Sequence, residues 1–301
     1  MKIIKIHQPA NDMMGASFKV LTSFLQQINK AETEKELTID LSDIKFAFPF
    51  FLLPLTAVIN QKIKSGVEIN LKLNSNPDLN RYLDIINFPA GINHINTPDW
   101  KTVLKSFSSK SYLPVCAIPA RGVTSYDREQ LLTAFNNTLY NQLGLSGRNI
   151  SPLSHIMSEA IDNIVDHANI DNGFLMVQNY RTKGFLDVCI ADTGIGILQT
   201  YKNYGYNHIK TDSEAIDNAL HGKSTKDMKE RGFGISTSRK MLVEGLGGNY
   251  FIFSGSAFYI WTKQQETILN VKSSLAWKGT MLALRIPKNI PKDFKLDKYL
   301  E

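Results

Sequence analysis

Glu159, Asn163 and His167 recur at every fourth position of Ser158-Glu159-Ala160-Ile161-Asp162-Asn163-Ile164-Val165-Asp166-His167. Residues four apart stack on one side of a helix, so one helix carries a carboxylate, an amide and an imidazole in line. Leu153, Ile156, Ala160 and Ile164 form an apolar stripe beside that line, which places the helix on a core with its polar row at the border. Ser151 suits its N-cap and Pro152 its first turn, so the helix is expected from Pro152 to His167. Three further pieces follow in order: Asp192-Thr193-Gly194-Ile195-Gly196, then Arg231-Gly232-Phe233-Gly234-Ile235-Ser236, then Gly279-Thr280. The ordered set belongs to one domain.

Each piece has its own chemistry. Asn163 offers a neutral oxygen to a hard cation without cancelling phosphate charge. Mg²⁺ needs few protein ligands, because ATP oxygens and water supply the rest. Glu159, one turn back, is placed to orient or deprotonate a nucleophile near a γ-phosphate. Asp192 ends the apolar run 185–191, where a carboxylate can accept a hydrogen bond from an adenine amino group. Gly194 and Gly196 let the backbone approach the base. Taken alone, Asp192 reads equally well as a local turn cap. Gly232-Phe233-Gly234 precedes a helix whose N-terminal N–H groups suit phosphate. No Gly-Lys-Ser/Thr follows it, and no strand–turn–helix unit surrounds it, so neither a P-loop nor a dinucleotide fingerprint is present. The insertion Leu198–Arg231 between the two glycine motifs reads as a lid. Its Lys223, Thr225, Lys226 and Arg231 either meet phosphates or stand as solvated surface residues.

The first half of the chain alternates strand and helix signals. Strands are expected at 2–6, 37–41 and 67–73, with helices at 18–30, 52–64 and 77–86. Such alternation argues for a largely parallel α/β layer. Pro89, Gly91, Pro98 and a serine-rich patch at 106–111 read as a linker. The second half is expected to hold helices at 127–143, 152–167 and 236–244, and strands at 112–118, 173–180, 185–192, 249–254, 257–262 and 281–286, with helices on one face of a mixed sheet. The fold class is therefore α/β. It divides into an α/β domain over 1–105, a linker and leading strand over 106–124, and an α/β sandwich over 125–301.

Composition excludes some classes. Of 301 residues, 43% are hydrophobic and 21% charged, the balance of a globular protein, and no run is long and apolar enough to span a membrane. The N-terminus is too short in apolar residues and too charged for a signal peptide. Cys116 and Cys189 lie in apolar runs and read as buried thiols. A cytoplasmic location is the expectation. The net charge of +6 is spread over scattered lysines, so nucleic acid is not expected as a partner.

The motifs resemble those of the ATPase superfamily shared by DNA gyrase, histidine kinases and MutL, the GHKL or Bergerat-fold group. Glu159-x3-Asn163-x3-His167 looks like its N-box. Asp192-Thr193-Gly194-Ile195-Gly196 looks like the first glycine box and Arg231-Gly232-Phe233-Gly234 like the second. Gly279-Thr280 looks like the late pair that closes the adenine pocket. The resemblance covers about 125–288 and implies ATP and Mg²⁺ as cofactors. It makes Glu159 the base and Asn163 the metal ligand. It also assigns nucleotide contacts to His167, Asp192, Gly194, Gly196, Gly232, Phe233, Gly234, Ile235 and Thr280, besides the lid residues. Ser158-Glu159-Ala160 with Asn163 and His167 most resembles the serine kinases that act as bacterial anti-sigma factors. No His-Glu phosphoacceptor motif of the sensor histidine kinases is present.

Residues 37–42, a following apolar helix and Asn80–Ile86 resemble a STAS domain. Where the anti-sigma antagonists of that fold present a phosphoacceptor serine, this chain has Phe48-Pro49-Phe50-Phe51, without a hydroxyl. The expected function is a Mg-ATP-dependent kinase acting on Ser or Thr of a partner protein. The alternative is an ATP-gated binding switch, with a histidine kinase or DNA-associated ATPase behind both. A protein partner is expected through either domain, and a homodimer remains open.

Overall fold

In the computed structural model, residues 2–93, 97–120, 125–143, 151–167, 169–222, 234–289, 291, 293–295 and 297–300 are described. The first part runs β1 (Lys2–Lys5), α1 (Met14–Asn29), β2 (Glu36–Asp40), α2 (Pro49–Lys64), β3 (Glu68–Lys72) and α3 (Pro77–Ile85). The strands form a parallel sheet in the order β1-β2-β3. Parallel neighbours require crossovers, which α1 and α2 supply. Helix α2 begins three residues earlier than the hydrophobic pattern indicates, because Pro49 stands at its first turn.

The segment expected to be a linker carries α4 (Trp100–Lys105), with Trp100, Leu104 and Phe107 buried. There follow β4 (Tyr112–Pro119), α5 (Ser125–Leu143), α6 (Ser151–His167), β5 (Asn172–Tyr180) and β6 (Phe185–Ala191). Next come α7 (Gly196–Asn203), α8 (Asp212–Leu220) and α9 (Gly234–Lys240), the last running into a π-helical turn at Met241–Gly245. The chain continues through β7 (Asn249–Gly255), β8 (Ala257–Trp261), β9 (Glu266–Asn270), β10 (Trp277–Pro287) and α10 (Asp297–Leu300). The seven strands are ordered β4-β5-β6-β10-β7-β8-β9.

One expectation about this sheet is corrected. It is not mixed: every ladder among its strands is antiparallel, and the parallel contact is the isolated bridge between Ile92 and Cys116. Short connections join β5 to β6 and β7 to β8, and β10 inserts between β6 and β7, so each neighbour runs opposite. The helices of the second half lie on one face, as expected, and the first half covers the other. Leu175, Val177, Val188, Ile190, Ile252 and Leu284 point into one core with Ile156, Met157 and Ile161 of α6 and Ile216 of α8. The alternate residues Phe174, Met176, Cys189, Ala191, Phe251, Phe253 and Met281 point into a second core with α1 and α2. Both faces are apolar, so both need a cover.

Helix α2 provides much of the second cover. It lies across β5 and β6 on one side and against its own three-stranded sheet on the other. Every residue from Pro49 to Ile59 is consequently buried. Burying Phe50 and Phe51 contributes about 1.5–3 kcal/mol each. Phe18 of α1 meets the rings of Phe251, Phe253 and Phe258 at 5.3, 5.3 and 4.5 Å. An ion pair sits at the edge of this interface. Arg285 donates to both oxygens of Asp187 at 2.7 and 2.8 Å and to the Asp12 carbonyl at 2.6 Å. Cys116 and Cys189 are buried, and desolvation pushes the Cys116 thiol up to about 12. Among the described residues, no helix is long and apolar enough to cross a membrane.

Candidate functional site

The alternation of β6 sends Val188, Ile190 and Asp192 to the face that carries α6 and α9. The strand ends at Ala191, so the Asp192 side chain is the last on that row. It is 2% exposed. Its Oδ1 accepts from the Gly194 N–H at 2.8 Å and its Oδ2 from the Thr280 N–H at 3.2 Å. Its backbone is also held, since Asp192 N donates to the Thr280 carbonyl and Trp277 Nε1 donates to the Asp192 carbonyl at 3.0 Å. Desolvation raises the Asp192 carboxyl to about 7, against the two N–H donors that lower it.

Glycine is required at two points here. Gly279 has φ +110°, and a Cβ there would stand 2.3 Å from the Asp192 carbonyl oxygen and 2.6 Å from Oδ1. Gly196 has φ +73°, and its Cβ would stand 2.9 Å from Ser254 Oγ and 3.1 Å from the Gly279 carbonyl. The first glycine motif and the late Gly-Thr pair are therefore in contact through backbone, as side chains at these positions would prevent.

Glu159 and the second glycine motif also meet. Glu159 Oε2 accepts from the Gly234 N–H at 3.0 Å, joining α6 to the first residue of α9. A carboxylate is stabilised at the exposed N–H groups and positive dipole of a helix start, a place that suits a phosphate for the same reason. Asn163, half-buried, lies one turn further along α6. Ile235 packs on the α6-side core. His167 ends α6, and its side chain lies outside the described residues, as do Lys223, Thr225, Lys226, Arg231, Gly232 and Phe233. The described part of the insertion holds two short helices joined by turns. Helices α7 and α8 enclose a small core of Tyr201, Ile209 and Ala215, and Thr211 with Glu214 forms a capping box.

Some site residues carry no signal in the sequence. Ser254 is 1% exposed and bonds to both Ile197 N and the Gly279 carbonyl. Trp277 reads as an ordinary core aromatic. A lone serine at a strand end belongs to no spacing pattern, and only the pairing of β7 with β10 brings it to the glycines.

The arrangement offers a buried carboxylate acceptor, two glycine backbones in close contact with their neighbours, and a helix start that donates to a carboxyl oxygen. Residues 148–289, just under half the chain, match the family described as histidine kinase-, DNA gyrase B-, and HSP90-like ATPase. No curated protein and no solved structure matches the chain. Residues 148–289 therefore carry an ATP-binding domain of the GHKL type.

Proposed function

We propose that the chain is a Mg-ATP-binding regulatory kinase that phosphorylates Ser or Thr on a partner protein. The observation that carries this reading is the buried Asp192 carboxylate, bonded by Gly194 and Thr280, on the same sheet face as the Glu159–Gly234 contact. The residues fit an adenine nucleotide. Asp192 is buried at a strand end, and each of its oxygens accepts one backbone N–H, which leaves acceptor capacity for an amino group. When bound, Mg-ATP supplies the transferable phosphoryl group, and Asn163 is the residue that would hold the metal. Glu159 leaves the Gly234 N–H to accept a proton from the attacking hydroxyl. Residues 1–105 act as a STAS-like unit that positions or binds the partner. Burial of Phe48, Pro49, Phe50 and Phe51 supports a role for that segment other than phosphoacceptor. The expected setting is cytoplasmic.

A second reading has its own support. The Glu159 carboxylate is engaged by Gly234, and Gln61 Nε2 of α2 donates to the Thr193 carbonyl inside the first glycine motif at 3.4 Å. Such a link favours a switch in which nucleotide alters the N-terminal layer, with little hydrolysis. Incubation with γ-labelled ATP and cell lysate separates the two. Label on protein Ser or Thr supports the kinase, retained nucleotide without transfer supports the switch, and no nucleotide binding overturns both.

A further inference from the structure

Ser254 stands opposite Asp192 across β10. Asp192 ends β6, Ser254 lies on β7, and β10 runs between them. Both side chains are on the face that carries α6, since Ser254 alternates with Tyr250 and Ile252 and Asp192 with Val188 and Ile190. The pairing of β10 with β7 shifts register between Trp277 and Thr280, which takes Gly279 out of the ladder. The Gly279 carbonyl loses its strand partner there and receives the Ser254 hydroxyl instead, at 2.8 Å. Ser254 Oγ in turn accepts from Ile197 N at 3.0 Å, near the start of α7. That helix has no side-chain cap at Ile195, so the Ile197 N–H depends on Ser254 for a partner. Asp192 makes the matching pair of bonds at the other end of the turn, to Gly194 N and Thr280 N.

We propose that Ser254 is a positioning residue of the nucleobase pocket, the second jaw of a clamp whose first jaw is Asp192. Each jaw ties one end of the turn 194–197 to the bulge in β10. Asp192 touches the base, whereas Ser254 acts through the two backbone segments that flank it. Gly196 is glycine because the jaw closes onto it, with the position of a Cβ only 2.9 Å from Ser254 Oγ. The assignment rests on the adenine-nucleotide reading of this site.

The clamp is tested with and without ligand. In the unliganded wild type, hydrogen exchange at the Ile197 amide should be as slow as at the β7 amides; exchange at the rate of a free loop would overturn the proposal without any substitution. In S254A that amide should exchange at least about tenfold faster while β10 amides beyond Met281 keep their rates. Calorimetric titration of S254A should then show about tenfold weaker binding of adenosine and of ATP alike, the loss of one buried hydrogen bond. An equal loss places the effect at the base, and G196A should reproduce it by pushing the same contact apart. Adenosine affinity within twofold of wild type in folded S254A, or a loss confined to ATP, would remove Ser254 from the pocket. Failure of wild type to bind adenosine or ATP would instead sink the nucleotide reading, and the exchange result would still judge the clamp.

Discussion

Asp192 faces two opposed demands. Burial makes its neutral form easier to keep; an adenine amino group is bound most strongly by its ionised form. Its native carboxyl lies near 7, against an ordinary value of 3.8. Between those values the native chain holds a proton that the unfolded chain has released. This group's contribution to stability is therefore largest on the acid side and falls as pH rises through about 7. Binding runs the other way. Affinity for ATP should rise about tenfold from about pH 6 to pH 8, as the ionised fraction climbs. Asp192→Asn should flatten both slopes and erase the preference for ATP over GTP. Titrations at several pH values check this, and a flat wild-type profile would contradict it. Glu159 yields a separate expectation. Glu159→Gln keeps an oxygen for the Gly234 N–H but removes the proton acceptor. It should bind Mg-ATP as wild type does while phosphoryl transfer falls by about 10²–10⁴-fold; equal ATP consumption would take Glu159 out of the chemistry. These residues were legible in the sequence because helical spacing and strand-end glycines are local signals. Ser254 was not, since its role arises from pairing between strands distant in the chain.

Among the elements, the bulge in β10 matters most to the site. It lets Gly279 sit at φ +110° between Asp192 and Ser254. Gly279→Ala would place a methyl group against the Asp192 carbonyl and force a left-handed conformation on alanine, a strain of roughly 1–3 kcal/mol before any repacking. The expected outcome is a folded protein with a lowered melting temperature and at least about a hundredfold loss of ATP affinity. Wild-type affinity in that variant would show that the pocket lies elsewhere. The strands β5, β6, β7 and β10 could be found from their apolar runs. Cover of the second face by α1 and α2 was not legible, because those helices lie far from these strands in the chain. Strand β9 carries no such signal, since its Glu266-Thr267-Ile268-Leu269-Asn270 is half-exposed and mixed in polarity. Similarly, α7 and α8 were absorbed into one insertion, since their burial is supplied by a small local core and not by a long apolar stripe.

At the scale of the whole molecule, two sheets share one core. Residues of α1, α2 and the three-stranded sheet pack in the same cluster as Phe174, Met176, Phe253, Trp277 and Met281. A division into separate units joined by a linker would predict two unfolding transitions; a shared core predicts one. Phe51 is the residue that best separates these cases, being fully buried in α2 between the two layers. Phe51→Ala leaves a cavity and should cost about 3–5 kcal/mol. All three tryptophans, Trp100, Trp261 and Trp277, lie outside the first sheet and its helices, and Trp277 is buried in the shared core. Their fluorescence therefore reports on the second sheet while the substitution lies in α2. In a single cooperative unit, fluorescence and far-UV circular dichroism should melt together, and Phe51→Ala should lower both midpoints equally. ATP should raise both midpoints together, because a ligand of one part of a cooperative unit stabilises all of it. A fluorescence midpoint unmoved by Phe51→Ala, with an early dichroism transition split from it, would mean that the N-terminal layer unfolds alone. Coupling between that layer and the nucleotide turn through Gln61 would then have no mechanical basis.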